Sequence, residues 1–454
     1  MNIELLKEIE KKFSLNESKF LDVNWWQLAR YKLIQSYCKS NRANRDVIKF
    51  SFKLVFNLIK RSLLFFKILI FLRRKKDKVL ILRHARLKYV DKCWIDIYSS
   101  HVLEELKSKN IDVIELDPAS NIKYETGVLY KRILPLDLQY IVAKILKTLM
   151  KIYYCSEKLS ITALAELYGE SNSVKSADQV KEIVFAYKSH KILYGFLLKI
   201  IRPNMIILSE RFGNEALIAS AKELAINVVE LQHGTPIEGK LNYYNDNEAS
   251  KYLPDYFVTY GGLYKDESFF NFGSSRVFHL GNSHLTRKYN KIKKSNFSKS
   301  KDYILFISQP AIDEQLFDWL VRNKKTLQEY KLCVCLHPFY DDKSDSLFCS
   351  QDWITVKRSK ECDIYIEMMK ARYVIGGFST ALYDATFFDC KILIIPSCDH
   401  RMMTKFVERG YGEYIKDFDL KTRHNSNTNK IKKAFDFYQK DDFYNNVYNK
   451  LKHD

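Results

Sequence analysis

The sequence predicts an α/β protein in which two parallel-sheet domains follow a helical N-terminal extension. Short apolar strands alternate with helical patterns from residue 78 onward. The polar segment Lys291–Asp302 interrupts this alternation once, after which it restarts. The 454 residues contain only 14 glycines and 8 prolines, which favours long regular elements joined by short loops. At roughly 100–200 residues per domain, this length accommodates two or three domains.

The N-terminal extension is predicted over residues 1–77. Within it, residues 50–76 interleave aromatic and aliphatic residues with Lys and Arg, and end in four consecutive basic residues. That composition is typical of a helix lying in an acidic membrane interface. The alternative is a helix packed on the first domain. The longest apolar stretch, Ser62–Leu72, is shorter than the roughly 20 residues of a spanning helix.

The first domain is predicted over residues 78–290. A helix over Trp94–Lys109 separates its first two strands, and helical patterns dominate between its second and third strands. The six predicted strands are Lys78–Arg83, Ile111–Leu116, Met205–Ser209, Asn227–Leu231, Tyr256–Tyr260 and Arg276–Leu280.

The second domain is predicted over residues 303–454, with helices between its strands. Two successive strand–helix series of this kind indicate two Rossmann-like domains, whose ligands bind beyond the carboxyl ends of the strands. The predicted strands are Tyr303–Ser308, Lys331–Leu336, Trp353–Val356, Arg372–Ile375 and Lys391–Ile395.

Composition and charge limit the classes of function. Hydrophobic residues make up 46% and charged residues 28%, which excludes a disordered or collagen-like protein. The net charge of +20 indicates anionic partners such as nucleic acid, an acidic membrane or a phosphorylated substrate. Lys and Arg are spread over the whole chain rather than along one stripe, so we expect no nucleic-acid partner.

The cysteines favour a reducing compartment. Nine are present without a C-x-x-C pair, and Cys333 and Cys335 are expected to be small buried thiols in an apolar strand. The N-terminus lacks the order of a signal peptide. We therefore predict a cytoplasmic protein, peripheral on the inner face of the plasma membrane.

Two candidate catalytic residues follow strands of the first domain. His233 comes directly after a buried strand and before Gly234, and imidazole is suited to general base work near neutral pH. Glu210 follows Met205–Ser209 and is a second candidate, either as the base or as the residue that orients His233. Its neighbour Arg211 is an ordinary ion-pair partner in the alternative interpretation. His84, after the first strand, ranks below these.

The second domain carries the candidate donor-binding residues. His337 follows a strand and precedes a proline that fixes the turn. Gly376 and Gly377 end another strand, and Ser379 or Thr380 then caps a helix that is predicted to continue through Phe388. Free N–H groups and hydroxyls at such a position bind anions.

These motifs resemble bacterial GT-B glycosyltransferases of capsule and lipopolysaccharide biosynthesis. The His-Pro and Ser-Thr pairs are similar to the signature of sialyltransferases and polysialyltransferases that use CMP-sugars, which implies that His337, Ser379 and Thr380 contact the donor phosphate. The H-G-T-P string also resembles teichoic-acid glycerophosphotransferases and implies that His233 is the base. The acidic base motif of the sialyltransferases has its nearest counterpart in Glu210.

The resulting prediction is an inverting, metal-independent glycosyltransferase that moves a sugar from a nucleotide-activated donor to a surface glycan or lipid-linked glycan. We expect no cofactor and no metal, since the one D-x-D sequence, Asp417–Asp419, follows no convincing strand end. A glycerol- or ribitol-phosphate transferase using a CDP-alditol is the nearest alternative. A non-catalytic, basic nucleic-acid-binding protein is the second.

Overall fold

The structure, a computed structural model, describes the following residues: 3–38, 61, 63, 78–85, 87–90, 93–118, 133–160, 162–234, 250–261, 273–295, 299–300, 302–337, 342–358, 362–396, 400–418 and 434–452. Its α-helices are Ile3–Lys12, Trp25–Cys38, Ser100–Ser108, Asp137–Tyr153, Thr162–Tyr168, Glu170–Ile201, Glu215–Glu223, Ser283–Lys293, Asp313–Arg322, Lys324–Leu327, Asp342–Cys349, Ile364–Lys370, Thr380–Ala385, Thr404–Glu408 and Asn449–Leu451.

The first domain is built on a sheet of seven parallel strands. The order of the strands reverses between the neighbours Lys78–Leu82 and Met205–Leu208. Strands that come before residue 205 in the chain lie on one side of this point, and later strands lie on the other. From edge to edge the strands are Val277–His279, Tyr256–Thr259, Asn227–Leu231, Met205–Leu208, Lys78–Leu82, Asp112–Asp117 and Ile133–Pro135.

Both faces of this sheet are buried, as parallel sheets require. Alternate residues of the first strand point to opposite faces: Leu80 and Leu82 contact one apolar cluster, and Val79 and Ile81 contact another. Long helices cover the first face, among them Glu170–Ile201. All five residues of the strand are buried, so its apolar sequence is explained by packing on both sides.

The second domain repeats this plan with six parallel strands. The order reverses again between two neighbours, here Tyr303–Ile307 and Tyr373–Gly376. From edge to edge the strands are Thr355–Lys357, Lys331–Cys335, Tyr303–Ile307, Tyr373–Gly376, Lys391–Ile394 and Glu413–Tyr414. The predicted architecture of two Rossmann-like domains is therefore confirmed, with a ligand crevice expected at each reversal.

Several short strands differ from the prediction, among them Lys19–Phe20 and Val23–Asn24 in the extension that was predicted as helical. Ile133–Pro135 is an edge strand within a region predicted as helical, and Cys93–Ile95 pairs with Lys88–Val90 in an antiparallel hairpin. The helix predicted over Trp94–Lys109 was wrong at its start, because it begins at Ser100. Three-residue strands are too short to show the alternation that identifies a strand in a sequence.

The chain termini pack against the first domain. Trp26 and Leu33 lie in the apolar cluster on one face of its sheet, so the described part of the predicted extension is not a separate body. Buried Glu10 accepts a hydrogen bond from the Trp26 indole at 2.7 Å. At the other end, Phe443 and Tyr448 lie in the cluster on the opposite face. The predicted bounds of the second domain, 303–454, therefore need correction at the C-terminal end, since the last described residues pack in the first domain.

Residues 50–76, predicted to lie on a membrane, fall outside the described residues except for Arg61 and Leu63. Arg61 is buried and donates to Asp137 at 2.6 Å and to Asp117 at 2.9 Å, while Leu63 is 67% exposed. This part of the segment is thus attached to the first domain. Within the described part of the chain, no helix combines the length and apolar character that crossing a membrane requires.

Candidate functional site

The strand reversal of the first sheet brings two titratable side chains together. His84 follows Lys78–Leu82 and Glu210 follows Met205–Leu208, and their side chains approach to 3.4 Å between Nε2 and Oε2. His84 is buried, whereas the Glu210 side chain is 41% exposed. A carboxylate that faces solvent on one side and an imidazole on the other is suited to accept a proton from a bound hydroxyl.

His233 joins this pair from the next strand of the sheet. Its ring centroid lies 5.8 Å from that of His84. Gln232 fixes the turn before it, because its amide donates to the Gly234 carbonyl at 2.9 Å and accepts from the Tyr260 N–H at 2.7 Å. The two predicted catalytic residues therefore converge on one position, with His84 between them.

A buried carboxylate, that of Asp96, fixes the backbone around His84 and Tyr98 on the other side of this site. Asp96 accepts hydrogen bonds from the backbone N–H groups of His84 and Tyr98, both at 3.0 Å, and from the Ser99 hydroxyl at 2.7 Å. This arrangement places the Tyr98 ring edge-on to both His84 and His233, with centroids 5.0 and 6.1 Å away. The histidine rings are thus held by packing and by the loop geometry.

A second carboxylate lies beneath the Glu210 loop. Glu230 is 1% exposed, and one of its oxygens accepts a hydrogen bond from the Arg211 N–H at 3.2 Å. Burial raises the pKa of Glu230 to about 7, against the opposing effects of the Arg211 charge and this hydrogen bond. Glu230 therefore positions the backbone directly after Glu210 and changes its charge near neutral pH.

On the second domain, His337 lies at the carboxyl edge next to the strand reversal. Its backbone N–H donates to the hydroxyl of buried Ser308 at 2.9 Å, and Ser308 in turn donates its N–H to the Cys335 carbonyl at 3.1 Å. The strand Tyr303–Ile307 lies between the strands that carry His337 and Gly376. The backbone at His337 is thus fixed independently of its imidazole, which is half-buried.

The two glycines are explained first by packing. A Cβ atom on Gly377 would lie 2.3 Å from the Ile312 side chain, and one on Gly376 would lie 3.3 Å from Ile307. Any role of Gly376 and Gly377 toward a ligand is therefore limited to their backbone groups. A side chain at position 377 would have to displace Ile312, and one at position 376 would be tightly packed against Ile307.

Ser379 caps the following helix, as predicted. Its hydroxyl accepts a hydrogen bond from the Ala381 N–H at 3.3 Å, and the helix covers Thr380–Ala385 before a 3₁₀ turn that ends at Phe388. Ser379 and Thr380 are both half-buried at the carboxyl edge of the sheet. Because the Ser379 oxygen is the acceptor in this bond, its hydroxyl hydrogen is available for donation to a ligand.

A polar cluster at the domain boundary was missed by the sequence analysis. Tyr365 donates to Asp384 at 3.2 Å, and burial raises the pKa of Asp384 to about 7, against the effects of this hydrogen bond and of the Lys88 charge. Lys88 belongs to the hairpin of the first domain. Tyr98 also acts electrostatically on Tyr365. Residues of the first domain, Lys88 and Tyr98, thus act electrostatically on Asp384 and Tyr365 of the second.

His84 was undervalued for a related reason. The sequence places it after a strand, but only the strand order shows that Met205–Leu208 is the neighbouring strand and that Glu210 is beside it.

In the described ranges, no three His, Cys, Asp or Glu side chains are grouped as the ligands of a metal would be.

No family model matches the sequence, and no curated protein is significantly similar to it. Solved structures with similar folds include UDP-GlcNAc 2-epimerase from Methanocaldococcus jannaschii, with 11% identity over 83% of this chain and 100% of the other, and a TM-score of 0.49. MurG from Acinetobacter baumannii matches with 10% identity over 75% of this chain and 86% of the other, and a TM-score of 0.42.

A third similar structure is UDP-GlcNAc 2-epimerase from Neisseria meningitidis bound to UDP-GlcNAc. It matches with 10% identity over 74% of this chain and 87% of the other, and a TM-score of 0.43. These TM-scores are below 0.5. The assignment of two Rossmann-like domains therefore rests on the strand order and register of the two sheets.

Proposed function

We propose that this protein is an inverting glycosyltransferase that uses a nucleotide-activated sugar without a metal, with a CMP-sugar as the favoured donor and a surface glycan or lipid-linked glycan as the acceptor. The observation that carries this proposal is the convergence of Glu210, His84 and His233 at the strand reversal of the first sheet. Each Rossmann-like domain supplies one half of the reaction: the first activates the acceptor and the second binds the donor.

Glu210 is the proposed general base. Its side chain is 41% exposed, and buried His84 contacts one of its carboxylate oxygens. In the reaction, Glu210 takes the proton of the acceptor hydroxyl while the sugar carbon is attacked from the face opposite the nucleotide. A positioned base of this kind contributes roughly 10²–10⁴-fold to the rate. His233 is the alternative base and lies within the same cluster.

His337, Ser379 and Thr380 are the proposed donor site. The imidazole of His337 and the two hydroxyls stabilise the negative charge that develops on the leaving nucleotide phosphate, with N–H groups of the Gly377–Thr380 turn as further donors. Loss of one such donor commonly costs about 3–4 kcal/mol in the transition state. The backbone hydrogen bond to Ser308 supports this role, because it fixes the position of His337 at the carboxyl edge of the sheet.

Two measurements on the intact protein test the proposal. We first expect one of CMP, UDP and GDP to protect the protein from thermal unfolding in wild type and in Glu210→Gln. Turnover with the matching sugar nucleotide should then fall by at least about 10²-fold in Glu210→Gln, while His233→Asn keeps more activity. The reverse order would assign the base to His233. No protection by any nucleotide would reject the proposal.

The nearest alternative is transfer of glycerol phosphate or ribitol phosphate from a CDP-alditol. The H-G-T-P string around His233 favours it. Analysis of the product distinguishes the two reactions, since a glycosidic bond contains no phosphorus and the alternative product is a phosphodiester.

We also propose that the first domain binds an acidic membrane surface. The helix Asp137–Tyr153 exposes Ile145, Leu149 and Ile152 by 55–68%, at a spacing that places them on one face. Lys144 lies beside them and is also exposed. Arg61, which belongs to the basic apolar segment 50–76, donates to Asp137, the first residue of this helix. An apolar face with interspersed lysines matches an interface of anionic lipid headgroups.

A further inference from the structure

We propose that Cys335 and Cys362 form a site of reversible oxidation, at which a peroxide converts two thiols into a disulfide. Their sulfur atoms lie 3.1 Å apart, and both cysteines are free thiols in the structure. They are separated by 27 positions in the chain. The strand Lys331–Cys335 carries one, and the other lies two residues before the helix Ile364–Lys370.

The two thiols differ in accessibility in the way that this reaction needs. Cys335 is 5% exposed, whereas Cys362 is half-buried and reachable from solvent. A hydrogen bond from the Cys335 thiol lowers the pKa of Cys362, and the positive charge of Lys357 acts in the same direction, against burial. The pKa of Cys335 is raised by its hydrogen bonds to the neighbouring thiols. Cys362 is therefore the thiolate that reacts first, and Cys335 remains protonated beside it.

The position of Lys357 is set by the sheet. It is paired in register with Cys335 on the neighbouring strand, and its ammonium group donates to Glu367 at 2.9 Å. The strand pairing thus brings Lys357 next to Cys335, and the Lys357 charge lowers the pKa of Cys362 while the charge of Glu367 raises it.

The reaction balances with a hydroperoxide as the oxidant. The Cys362 thiolate attacks one peroxide oxygen, the O–O bond breaks, and hydroxide leaves, so that Cys362 becomes a sulfenic acid. The Cys335 thiol then loses its proton and attacks the Cys362 sulfur. The S–O bond breaks, water leaves, and the disulfide remains. The hydroxide takes up the proton that Cys362 lost on forming its thiolate, so two thiols are oxidised and one hydrogen peroxide is reduced to two waters.

Cys335 thus has a proposed redox role beyond that of the small buried thiol that its apolar strand predicts. A disulfide there would join residue 362 to the end of the strand Lys331–Cys335, two residues before the candidate donor residue His337. In a reducing compartment, disulfides of this kind are usually transient and redox-sensing rather than structural. The inference does not depend on the proposed transferase reaction.

The test uses the full chain, first fully reduced and then treated with a small excess of hydrogen peroxide without denaturant. We expect peptide mapping to show a Cys335–Cys362 cross-link that dithiothreitol reverses. Cys349→Ser and Cys155→Ser, which change exposed thiols, should leave the cross-link intact. In Cys335→Ser, a 1,3-diketone probe for sulfenic acid should label Cys362.

The mapping of the wild-type protein decides the proposal even if a variant fails to fold. The proposal is overturned if Cys362 stays reduced while exposed Cys349 is oxidised, or if Cys362 is cross-linked to Cys333 instead. Cys333 is the competing thiol, because it lies two residues from Cys335 on the same face of the strand. Since the readout is a cross-linked peptide, failure of the transferase assay would leave this result unchanged.

Discussion

The imidazole of His84 lies 3.4 Å from the carboxylate of Glu210, across the point at which the strand order of the first sheet reverses. Because His84 is buried and Glu210 is 41% exposed, the pair has one member fixed by the fold and one open to a ligand. This relationship makes His84 a positioning residue for the proposed base.

We expect His84→Gln to lower turnover by roughly 10–100-fold, with little change in the KM for the donor. The double variant His84→Gln/Glu210→Gln should lose hardly more activity than Glu210→Gln alone, because the two residues act as a unit. His190→Gln, on the helix Glu170–Ile201, is the matched control and should keep full activity. Additive losses in the double variant would show that His84 acts independently of Glu210.

Ser379 can be separated into its structural and its binding role. Asp caps a helix about as well as Ser, so Ser379→Asp should keep the free energy of unfolding within about 0.5 kcal/mol. Its charge should repel a phosphate and weaken donor binding at least tenfold by calorimetry. Asn282→Asp is the control, since Asn282 caps another helix through the Leu285 N–H. If Ser379→Asp binds the donor normally, Ser379 is a cap and nothing more.

His337→Ala should lower donor affinity and turnover by about 10²-fold, because the imidazole no longer stabilises the leaving phosphate. The fold should persist, since the hydrogen bond to Ser308 uses the backbone N–H of residue 337. Thermal unfolding without ligand checks the fold, and titration with the protecting nucleotide checks the affinity. A variant with wild-type turnover would remove His337 from the site.

Glu230 should make the stability of the protein depend on pH. Its pKa of about 7 is above the ordinary value of 4.5, so the folded state holds this proton more tightly than the unfolded chain. The stabilisation is complete below about pH 4.5 and is lost as the pH rises through 7. Glu230→Gln should therefore be more stable than wild type at pH 8, by roughly 1–3 kcal/mol, and equally stable at pH 4.5.

Urea unfolding at both pH values measures this difference. Glu329→Gln, at an exposed position, should show no such pH dependence. An equal effect of Glu230→Gln at both pH values would mean that Glu230 is ionised in the folded protein across this range.

Membrane binding should depend on the exposed face of Asp137–Tyr153. Burial of one large apolar side chain in the interface is worth about 1.5–3 kcal/mol, so Leu149→Asp should reduce flotation with acidic vesicles roughly tenfold or more. Val321→Asp is the control, because Val321 is 44% exposed on the second domain. Equal flotation of Leu149→Asp and wild type would show that this helix does not contact the membrane.

Most of the fold could be predicted because the central strands are short, continuous apolar runs between helical patterns. Lys78–Leu82 and Tyr303–Ile307 are of this kind, and each is buried on both faces. Ile133–Pro135 and Glu413–Tyr414 were missed because edge strands of two or three residues carry no recognisable pattern.

Individual residues of the site could be predicted from the sequence, but their positions relative to one another could not. His233 and Glu210 were found because polar residues at strand ends stand out against apolar runs. Their convergence through His84 depends on which strands are neighbours, and residues 84 and 210 are far apart in the sequence. Likewise, the proximity of Cys362 to Cys335 follows from the fold of the second domain and not from their spacing.

The return of the C-terminus to the first domain means that the chain passes between the domains twice. The first passage leads through the helix Ser283–Lys293 into the second sheet, and the second leads back to Phe443 and Tyr448 in the core of the first domain. After a single proteolytic cut following Lys294, the two fragments should stay associated without a covalent link, because Phe443 and Tyr448 of the second fragment are packed in the core of the first domain. Two chain connections also restrict the relative motion of the domains. They allow one domain to rotate about the line between the two connections, and they oppose reorientation in other directions.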